Sequence, residues 1–368
     1  MKIIFSSNIA WSIFNFRLKL LKSLQDDGHE IFTIAFKDEY SEKLIDEGFH
    51  FTAINLNNNG TNPLKDLKSI YSYYRIYKKI RPDVICHNAI KPNIYGTIAA
   101  GILGIPVVNN ISGLGTLFIK KKFSTQIAKL LYRFSQRKAS KIFFQNKDDL
   151  NLFLENKLIE NSKAQVIPGS GVDTLRFIPQ EAKEERLDFT FLFIGRLLYD
   201  KGIREYVEAV QLLKNKYPRT KFCILGPLYE NNATAITKET LTNWINSDAI
   251  IYLGQTDRVE EVMKVADCVV LPSYREGLSK VLIEASSMGL PIVTANVPGC
   301  RDVVIDNETG FLCEVKNSKD LADKMEKMLL LSVKERMKMG HYARKRAIEI
   351  FDEKIIIKHY KEAIYAIV

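Results

Sequence analysis

The chain has few cysteines, and no two of them are spaced for metal or disulfide chemistry. Five occur among 368 residues, none in C-x-x-C spacing. Their neighbours are mostly apolar, so we expect small buried hydrophobic side chains in a reducing cytosol, not disulfides or zinc ligands. The five are Cys86, Cys223, Cys268, Cys300 and Cys313.

Long apolar segments are also missing. The longest apolar stretch, about residues 98–108, is interrupted by Gly101, Gly104 and Pro106 and is too short to cross a bilayer. Residues 1–6 lack the apolar region and cleavage site of a signal peptide and predict a short strand instead. We therefore expect no membrane-spanning helix.

The G-x-G-x-x-G fingerprint of dinucleotide-binding folds is absent. The loop at residues 109–116 contains Gly113 and Gly115 but lacks the third glycine, and the first strand is followed by no such turn. This argues against a dinucleotide-dependent oxidoreductase. The chain also lacks internal repeats and low-complexity segments.

Positive charge is concentrated in the first half of the chain. Residues 1–180 contain 25 Lys and Arg against 15 Asp and Glu, whereas residues 181–368 contain 28 of each. A basic first half suggests that this half faces an anionic partner. Because the length exceeds what one hydrophobic core normally supports, we expect two domains, with the charged segment 180–188 as the linker.

Short apolar strands alternate with helical patterns throughout. This alternation predicts an α/β protein with two doubly wound, Rossmann-like domains that face each other across a cleft. Strands are predicted near 2–6, 31–35, 50–54, 83–86, 106–109, 141–145, 164–167, 189–194, 221–225, 249–252, 267–271 and 291–294. Helices are predicted near 14–25, 64–80, 93–103, 123–139, 203–216, 259–265, 279–288 and 351–368.

Two glutamates eight residues apart, Glu276 and Glu284, follow a predicted buried strand. The apolar spacing predicts strand, loop and helix, with Glu276 in the loop and Glu284 inside the helix. The backbone amides of Leu278, Ser279 and Lys280 would then lie at the helix N-terminus, where anions bind. A solvated helix face is the alternative, but a charged loop directly after a buried strand is where α/β sheets bind ligands.

This region resembles the E-x7-E signature of retaining, family 4 glycosyltransferases of the GT-B fold. The segments that carry the resemblance are Ser273-Tyr274-Arg275-Glu276-Gly277, Glu284-Ala285 and Gly289-Leu290-Pro291-Ile292-Val293. The resemblance covers essentially the whole chain and is strongest from 189 to 315. It implies that residues 181–350 bind a nucleotide-sugar donor, that residues 1–180 face acceptor and membrane, and that the helix 351–368 returns to the first domain.

The predicted strand 189–194 ends in Gly195 and Arg196, and Lys201 follows. Glycine permits close backbone approach, and two cations this near in sequence can clamp a diphosphate, although a turn with two solvated basic residues is equally compatible. In the family this segment holds the donor diphosphate. The resemblance further implies that Glu276 holds the donor sugar and Glu284 the ribose.

No D-x-D sequence, which would indicate a Mg²⁺ or Mn²⁺ clamp on a nucleotide sugar, occurs in the chain. We therefore expect an enzyme without metal or cofactor, in which Arg196, Lys201 and a helix N-terminus neutralise the leaving diphosphate. In similar enzymes the loop after the strand near 249–252 contacts the uracil. Thr256 and Arg258 are the candidates here.

The loop containing Ser112 and Gly113 resembles that of transferases extending polyprenyl-diphosphate-linked saccharides, such as N-acetylgalactosaminyltransferases and capsule and O-antigen transferases. Many relatives place a His or Glu where Ser112 stands, so the resemblance does not identify the catalytic contact from the first domain. Asn15 is expected to meet an acceptor hydroxyl and Arg17 an acceptor phosphate. His87, at a strand end, is either an acceptor contact or a structural residue.

Residues 119–141 contain eight Lys and Arg and no acid, and their apolar residues fall on one helical face. Such a helix predicts peripheral contact with the anionic cytoplasmic face of the inner membrane. Core packing of the apolar face is the alternative, and binding to nucleic acid is disfavoured because no recognised nucleic-acid module is present. The residues assigned to the membrane are Lys120, Lys121, Lys122, Phe123, Lys129 and Arg133.

The predicted function is transfer of an N-acetylhexosamine, with GalNAc favoured, from a UDP-sugar to a polyprenyl-diphosphate-linked saccharide. Glu276, Arg196 and Lys201 are the predicted catalytic residues. A UDP-sugar 2-epimerase of the same fold is an alternative, disfavoured by the basic amphipathic helix. A non-catalytic nucleotide-sugar or polyanion-binding protein is another, disfavoured by the joint presence of Arg196, Lys201, Glu276 and Glu284.

Overall fold

The computed structural model describes residues 1–55, 63–114, 123–180, 188–229, 232 and 234–368, with side chains for all except 63–65 and 123–125. The chain forms two compact units. The first consists of Met1–Ser170 with Glu353–Val368, and the second of Gly171–Asp352.

A fully parallel sheet forms the centre of the first unit, with strand order β3-β2-β1-β4-β5-β6-β7 among the described residues. Its strands are β1 (Lys2–Ile9), β2 (Glu30–Phe36), β3 (His50–Ala53), β4 (Val84–Asn88), β5 (Val107–Ile111), β6 (Lys141–Phe144) and β7 (Ala164–Val166). Its helices are α1 (Ala10–Asp26), α2 (Tyr40–Asp46), α3 (Pro63–Ile80), α4 (Thr97–Leu103), α5 (Phe123–Gln136) and α6 (Lys147–Glu155). The order reverses between β1 and β4, and ligands bind at such reversal points.

Helices cover both faces of this sheet, so its strands are buried on both sides. In β1, Ile3 and Phe5 pack into one cluster with α1 and α2, whereas Ile4 packs into the other with α3, α4, α5 and α6. The alternation is the two-residue period of a strand. It places α3, α4 and α5 together on one side of the sheet.

The second unit contains a second parallel sheet, with strand order β10-β9-β8-β11-β12-β13 in the part of the chain described. Its strands are β8 (Thr190–Ile194), β9 (Lys221–Leu225), β10 (Ile251–Tyr252), β11 (Cys268–Leu271), β12 (Ile292–Ala295) and β13 (Gly310–Cys313). Its helices are α7 (Ile203–Leu213), α8 (Lys238–Asn246), α9 (Val259–Met263), α10 (Lys280–Ser287), α11 (Ser318–Leu330) and α12 (Val333–Ile350). Here the order reverses between β8 and β11. The predicted architecture of two parallel α/β sheets is confirmed.

The last helix, α13 (Glu353–Tyr365), belongs to the first unit, as the resemblance implied. Ile356, Tyr360 and Ile364 are buried in the cluster that also contains α1. Lys361 and Tyr365 both contact the carboxylate of Asp27, at the C-terminus of α1, at 2.6 Å. Apolar burial and two polar contacts therefore hold α13 in place.

The boundary between the units differs from the predicted one at residue 180. Residues 171–179 belong to the second unit because Val172 and Phe177 are buried in its core. The Val172 amide also donates to the carbonyl of Phe351 at 2.8 Å. Of the predicted linker, residues 181–187 lie outside the described residues.

Strand β13 was absent from the sequence prediction. It is four residues long and begins with Gly310, at which a Cβ would overlap the carbonyl oxygen of Ile292. A glycine at the start of so short a strand weakens the pattern that identifies it.

The cysteines are buried, as their apolar neighbours led us to expect. The five cysteines are free and buried, and burial raises the pKa of the Cys86, Cys268 and Cys300 thiols. Among the helices described, none is long and apolar enough to cross a membrane.

Candidate functional site

Four loops meet at the carboxyl ends of the strands in the second unit. The amide of Gly195, after β8, donates to Leu225 of β9 at 3.0 Å, and the amide of Gly226 donates to Gly254 at 2.7 Å. A Cβ on Gly226 would overlap the carbonyl of Gly195, so these two loops touch through their backbones. A Cβ on Gly195 itself would make only ordinary contacts at 3.7–3.8 Å, so this close approach depends on Gly226, and the role of Gly195 stays a prediction.

An ion pair between Lys201 and Glu276 joins the two loops at the reversal point of the sheet. Lys201 follows β8 and Glu276 follows its neighbour β11. The two side chains are 21% and 13% exposed, so the pair is shielded but still reachable from solvent. The Ser273 hydroxyl donates to the same carboxylate oxygen at 2.7 Å. A cation and a carboxylate thus lie together where the fold binds ligands.

Two glycines allow this pair to form. Gly202 has a positive φ of 73°, and a Cβ there would overlap the carbonyl of Pro272. Gly299, with φ of 79°, packs equally closely on the backbone of Glu276. Glycine at these positions lets the loop after β8 approach Pro272 and the loop after β12 approach Glu276.

The second glutamate, Glu284, is buried within α10. Burial raises the pKa of its carboxyl, and the nearby cations Lys280 and Arg176 oppose that effect. The Lys280 ammonium lies 3.6 Å from Glu284 and donates to the Gly171 carbonyl at 2.6 Å. Arg176 donates to the Asp257 carbonyl at 2.9 Å and to Glu260 at 2.7 Å.

Arg176 was not a sequence candidate. It follows no predicted strand and precedes the predicted domain boundary, so no pattern linked it to Glu284. Its charge acts on the buried glutamate electrostatically, and its hydrogen bonds reach Asp257 and Glu260, next to Thr256 and Arg258.

The start of α10 differs in one respect from the prediction. The amide of Ser279 donates to the Gly299 carbonyl at 3.0 Å, and its side chain is buried. This amide is therefore already bonded and does not point to a free anion site. The amides of Leu278 and Lys280 remain predicted donors at the helix N-terminus.

Other predicted donor residues lie in exposed loops. Arg196 is exposed, and its guanidinium lies 5.5 Å from the ring centroid of Tyr229. Thr256 accepts a hydrogen bond from the Arg258 amide at 3.0 Å, and the Arg258 side chain pairs with Glu261 at 3.3 Å. The structure therefore joins Lys201 directly to Glu276, and leaves the roles of Arg196, Thr256 and Arg258 as predictions.

The predicted acceptor residues follow β1, β4 and β5 of the first unit. Asn15 is exposed and donates to the Trp11 carbonyl at 3.0 Å. Ser112 is exposed and Gly113 half-buried, directly after β5. Arg17 is only 5% exposed. Its guanidinium donates twice to Asn88 Oδ1, at 3.1 and 3.2 Å, and lies 5.2 Å from the Tyr360 ring centroid. These contacts leave it poorly placed to meet an acceptor phosphate.

His87 is completely buried at the end of β4. Its Nε2 lies 2.8 Å from the Tyr77 hydroxyl and its Nδ1 lies 2.9 Å from Asn109 Oδ1. A Cβ on Gly96 would overlap the imidazole, so that glycine makes room for it. This position matches the structural alternative, and we do not carry His87 into the acceptor site.

Burial lowers the pKa of His87 to about 4, below its ordinary value of 6.5. Unfolding restores the ordinary value, so protons favour the unfolded state as the pH falls from about 6.5 to about 4. We expect the first unit to lose on the order of 3 kcal/mol of stability across this window. Urea unfolding from pH 4 to pH 7 measures the loss, and a His87→Gln variant should flatten the profile. An equally steep profile in the variant would contradict the prediction.

The residues assigned to the membrane divide into two groups. Lys120, Lys121 and Lys122 lie outside the described residues, as does the side chain of Phe123, which begins α5. Lys129 and Arg133 each donate to Asn156, at 2.7 and 3.0 Å.

Helix α5 does not present one uniform apolar face. Ala128 and Tyr132 are buried against the sheet, while Leu130 is 66% exposed and Phe134 is 54% exposed. The core-packing alternative therefore holds for one side of this helix, and its outer side retains two large exposed apolar residues.

Comparison with known proteins identifies the family. Residues 175–346 match the model described as "Glycosyl transferases group 1", and residues 2–146 match "Glycosyl transferase 4-like". The chain is 30% identical to N,N'-diacetylbacillosaminyl-diphospho-undecaprenol alpha-1,3-N-acetylgalactosaminyltransferase of Campylobacter jejuni, over 98% of this chain and 97% of that protein. It is 29% identical to UDP-Gal:alpha-D-GlcNAc-diphosphoundecaprenol alpha-1,3-galactosyltransferase of Escherichia coli, over 69% and 68%.

Solved structures share the fold. Anabaena Alr3699/HepE, crystallised with UDP-glucose, matches with a TM-score of 0.82 at 18% identity, over 100% of both chains. A glycosyltransferase from Rickettsia africae matches with a TM-score of 0.77 at 19% identity, over 100% of this chain and 98% of that one. These findings, together with the two parallel sheets and the E-x7-E segment, disfavour a 2-epimerase and a non-catalytic binding protein. The chain belongs to the family 4 glycosyltransferases of the GT-B fold and is an enzyme.

Proposed function

We propose that this enzyme transfers a sugar from a UDP donor to a polyprenyl-diphosphate-linked saccharide in bacterial surface-glycan or protein-glycan assembly. N-acetylgalactosamine is the favoured sugar, because the relative from C. jejuni, matched over nearly its whole length, is named for transferring it. The observation that carries the proposal is the Lys201–Glu276 pair at the reversal point of the second sheet.

The main barrier in such a transfer is charge separation between an oxocarbenium-like sugar and the departing UDP. Lys201, held by its ion pair, supplies one cation for the developing diphosphate charge, and the exposed Arg196 supplies a second. The amide N–H groups of Leu278 and Lys280 present further partial positive charge. Groups that are already in position before the reaction often account for most of the rate enhancement of an enzyme.

Glu276 holds the donor sugar in this proposal. Its carboxylate accepts from Ser273 and pairs with Lys201, so its position is set before the substrate arrives. Glu284 binds the ribose; burial raises the pKa of its carboxyl, and the nearby cations Lys280 and Arg176 oppose that rise. We favour retention through a front-face reaction, in which the leaving phosphate takes the acceptor proton.

The test is UDP release from a panel of UDP-GalNAc, UDP-GlcNAc, UDP-galactose and UDP-glucose, with and without a polyprenyl-diphosphate-linked saccharide. We expect release that depends on the acceptor, is fastest with UDP-GalNAc and gives an α-linked product by NMR. Equal release without acceptor, or a β-linked product, would contradict the proposal.

We also propose that the first unit contacts the anionic cytoplasmic face of the inner membrane. On the outer side of α5, Leu130 and Phe134 are exposed, and the Lys138 ammonium lies 5.7 Å from the Phe134 ring centroid. Leu67 and Tyr71 on α3 and Ile102 on α4 are more than half exposed too.

The predominantly positive charge of α3, α4 and α5 is complementary to an anionic lipid surface. The helices α3, α4 and α5 contain a single acid, Asp66, whose carboxylate lies 4.0 Å from the Lys91 ammonium. Exposed apolar side chains among uncompensated cations are typical of proteins that lie on anionic membranes.

Liposome flotation tests the membrane proposal. We expect the protein to float with vesicles containing phosphatidylglycerol, and the pair Leu130→Ser with Phe134→Ser to weaken binding by at least tenfold, because apolar burial is lost. Replacing Lys120, Lys121 and Lys122 by glutamate should weaken it further. Leu212→Ser, at a residue 58% exposed on α7 of the second unit, is the matched control. Equal flotation of all variants would refute the assignment.

A further inference from the structure

Three asparagines gather at the carboxyl ends of β4 and β5, beside the reversal point of the first sheet. Asn88 ends β4 and is in register with Asn110 of β5. Asn93 follows in the next turn and donates from Nδ2 to the Asn110 carbonyl at 2.8 Å. These three residues, called here the carboxamide cluster, occupy the edge of the first sheet where α/β folds bind ligands.

Each member of the cluster has one side-chain atom without a hydrogen-bond partner among the described residues. These atoms are Asn88 Nδ2, Asn93 Oδ1 and Asn110 Oδ1, and each is sealed from solvent. Asn93 and Asn110 are 1% and 0% exposed. Buried polar atoms are almost always paired in native proteins, so three in one cluster require an explanation.

The amide orientations follow from the neighbouring bonds. Arg17 donates twice to Asn88 Oδ1, which leaves Nδ2 as the unpaired atom. The Tyr360 hydroxyl donates to Asn88 Oδ1 at 3.4 Å and therefore accepts from Asn110 Nδ2 at 2.8 Å, which leaves Asn110 Oδ1 unpaired. Rotating the Asn88 amide would set its NH₂ group against the guanidinium donors. The cluster therefore offers one donor and two acceptors.

The backbone between Asn88 and Asn93 is unusual. Ala89 has a positive φ of 80°, which is strained for a residue with a Cβ. Residues Pro92–Gly96 form a single turn of π-helix. Strained residues and π-turns are both concentrated at functional sites.

The unpaired atoms select a class of ligand. Two carbonyl oxygens repel an anion and attract hydroxyl or N–H groups, and Arg17, the cation hydrogen-bonded to the cluster, already donates to Asn88 and to the Phe16 carbonyl. We propose that the carboxamide cluster binds the neutral sugar portion of the acceptor, through hydroxyl and acetamido groups, and not its diphosphate. This rests on the proposed transfer to a saccharide acceptor. Binding opens the segment 88–96 and pairs the three atoms.

The test uses Asn88→Asp, which keeps the oxygen that holds Arg17 and replaces the free NH₂ group by an oxygen. Asn151→Asp, at an exposed residue of α6, is the control with the same change of charge. The probe is the methyl α-glycoside of N-acetylglucosamine, observed by saturation-transfer NMR with saturating UDP present. We expect a signal with wild type and the control, and at least a tenfold weaker one with Asn88→Asp. Asn88→Ser, which is neutral, should weaken it in the same way.

The measurement involves no sugar transfer, so it separates this inference from the proposed function. An active transferase that gives no glycoside signal, or gives the same signal in both Asn88 variants, would overturn the carboxamide site alone. Displacement of the glycoside by inorganic pyrophosphate would also overturn it, because the cluster would then accept an anion.

Discussion

Replacing Lys201 by methionine is expected to lower kcat for sugar transfer by about 10²–10³-fold, the usual effect of removing one preorganised group that stabilises transition-state charge. Methionine keeps much of the apolar volume of the lysine and removes the charge. The variant loses the cation that we propose stabilises the leaving diphosphate, and it leaves Glu276 without its ion-pair partner. Steady-state UDP release with saturating acceptor measures the effect.

Lys214→Met is the matched control for this variant. Lys214 also forms a lysine–carboxylate pair, with Asp248 at 2.7 Å, but on the exposed surface of the second unit. Exposed pairs contribute little, so activity should stay within about twofold of wild type. If Lys201→Met were as active as this control, the donor site would have to lie elsewhere.

A double-mutant cycle that combines Lys201→Met with Glu276→Gln measures whether the two residues act together. If Lys201 and Glu276 act as one unit, the double variant should be little worse than either single variant, because each change already disables the pair. Losses that multiply would show that the two residues act independently, and would contradict the role assigned to the pair.

Gly202→Ala is expected to destabilise the second unit by about 2–5 kcal/mol. A residue with a Cβ costs about 1–2 kcal/mol in the left-handed region. Relieving the overlap with the Pro272 carbonyl adds about 1–3 kcal/mol, as overpacking does. Activity should fall as well, because Lys201 adjoins the displaced backbone. Urea unfolding in a Trp11→Phe background measures the effect, since Trp244 then reports on the second unit alone.

The matched control is Gly254→Ala. Gly254 has the same φ of 73°, but a Cβ there meets no heavy atom within 4 Å. We expect Gly254→Ala to lower the free energy of unfolding only by the cost of the left-handed conformation, about 1–2 kcal/mol. Equal destabilisation by the two variants would mean that the contact between Gly202 and Pro272 is unimportant.

Much of the fold was predictable because its physical signal is local. A buried parallel strand must be apolar on both faces, and β8, β11 and β12 are short apolar runs bounded by Gly, Pro or charged residues. The segment around Glu276 was recognisable for the same reason: its charges follow directly on such a run. The short β13 and the π-turn lack a comparable pattern.

The features of the site that the sequence did not predict depend on contacts between residues distant in sequence. Arg176 contacts Glu260 and the Asp257 carbonyl only in the folded chain, and the residues next to it in the sequence show no pattern that predicts these contacts. The occupied amide of Ser279 depends on where Gly299 lies. The burial of His87 depends on Tyr77 and Asn109, from a helix and another strand. Spacing along the chain carries no information on such pairs.

The two units contain different numbers of buried thiols, so the number of alkylated cysteines reports which unit has unfolded. Cys86 belongs to the first unit, and the other four belong to the second. A short pulse of alkylating reagent during denaturation should therefore add one mass increment when the first unit opens and four when the second does. Intact mass spectra would then resolve the order of opening, without an introduced probe.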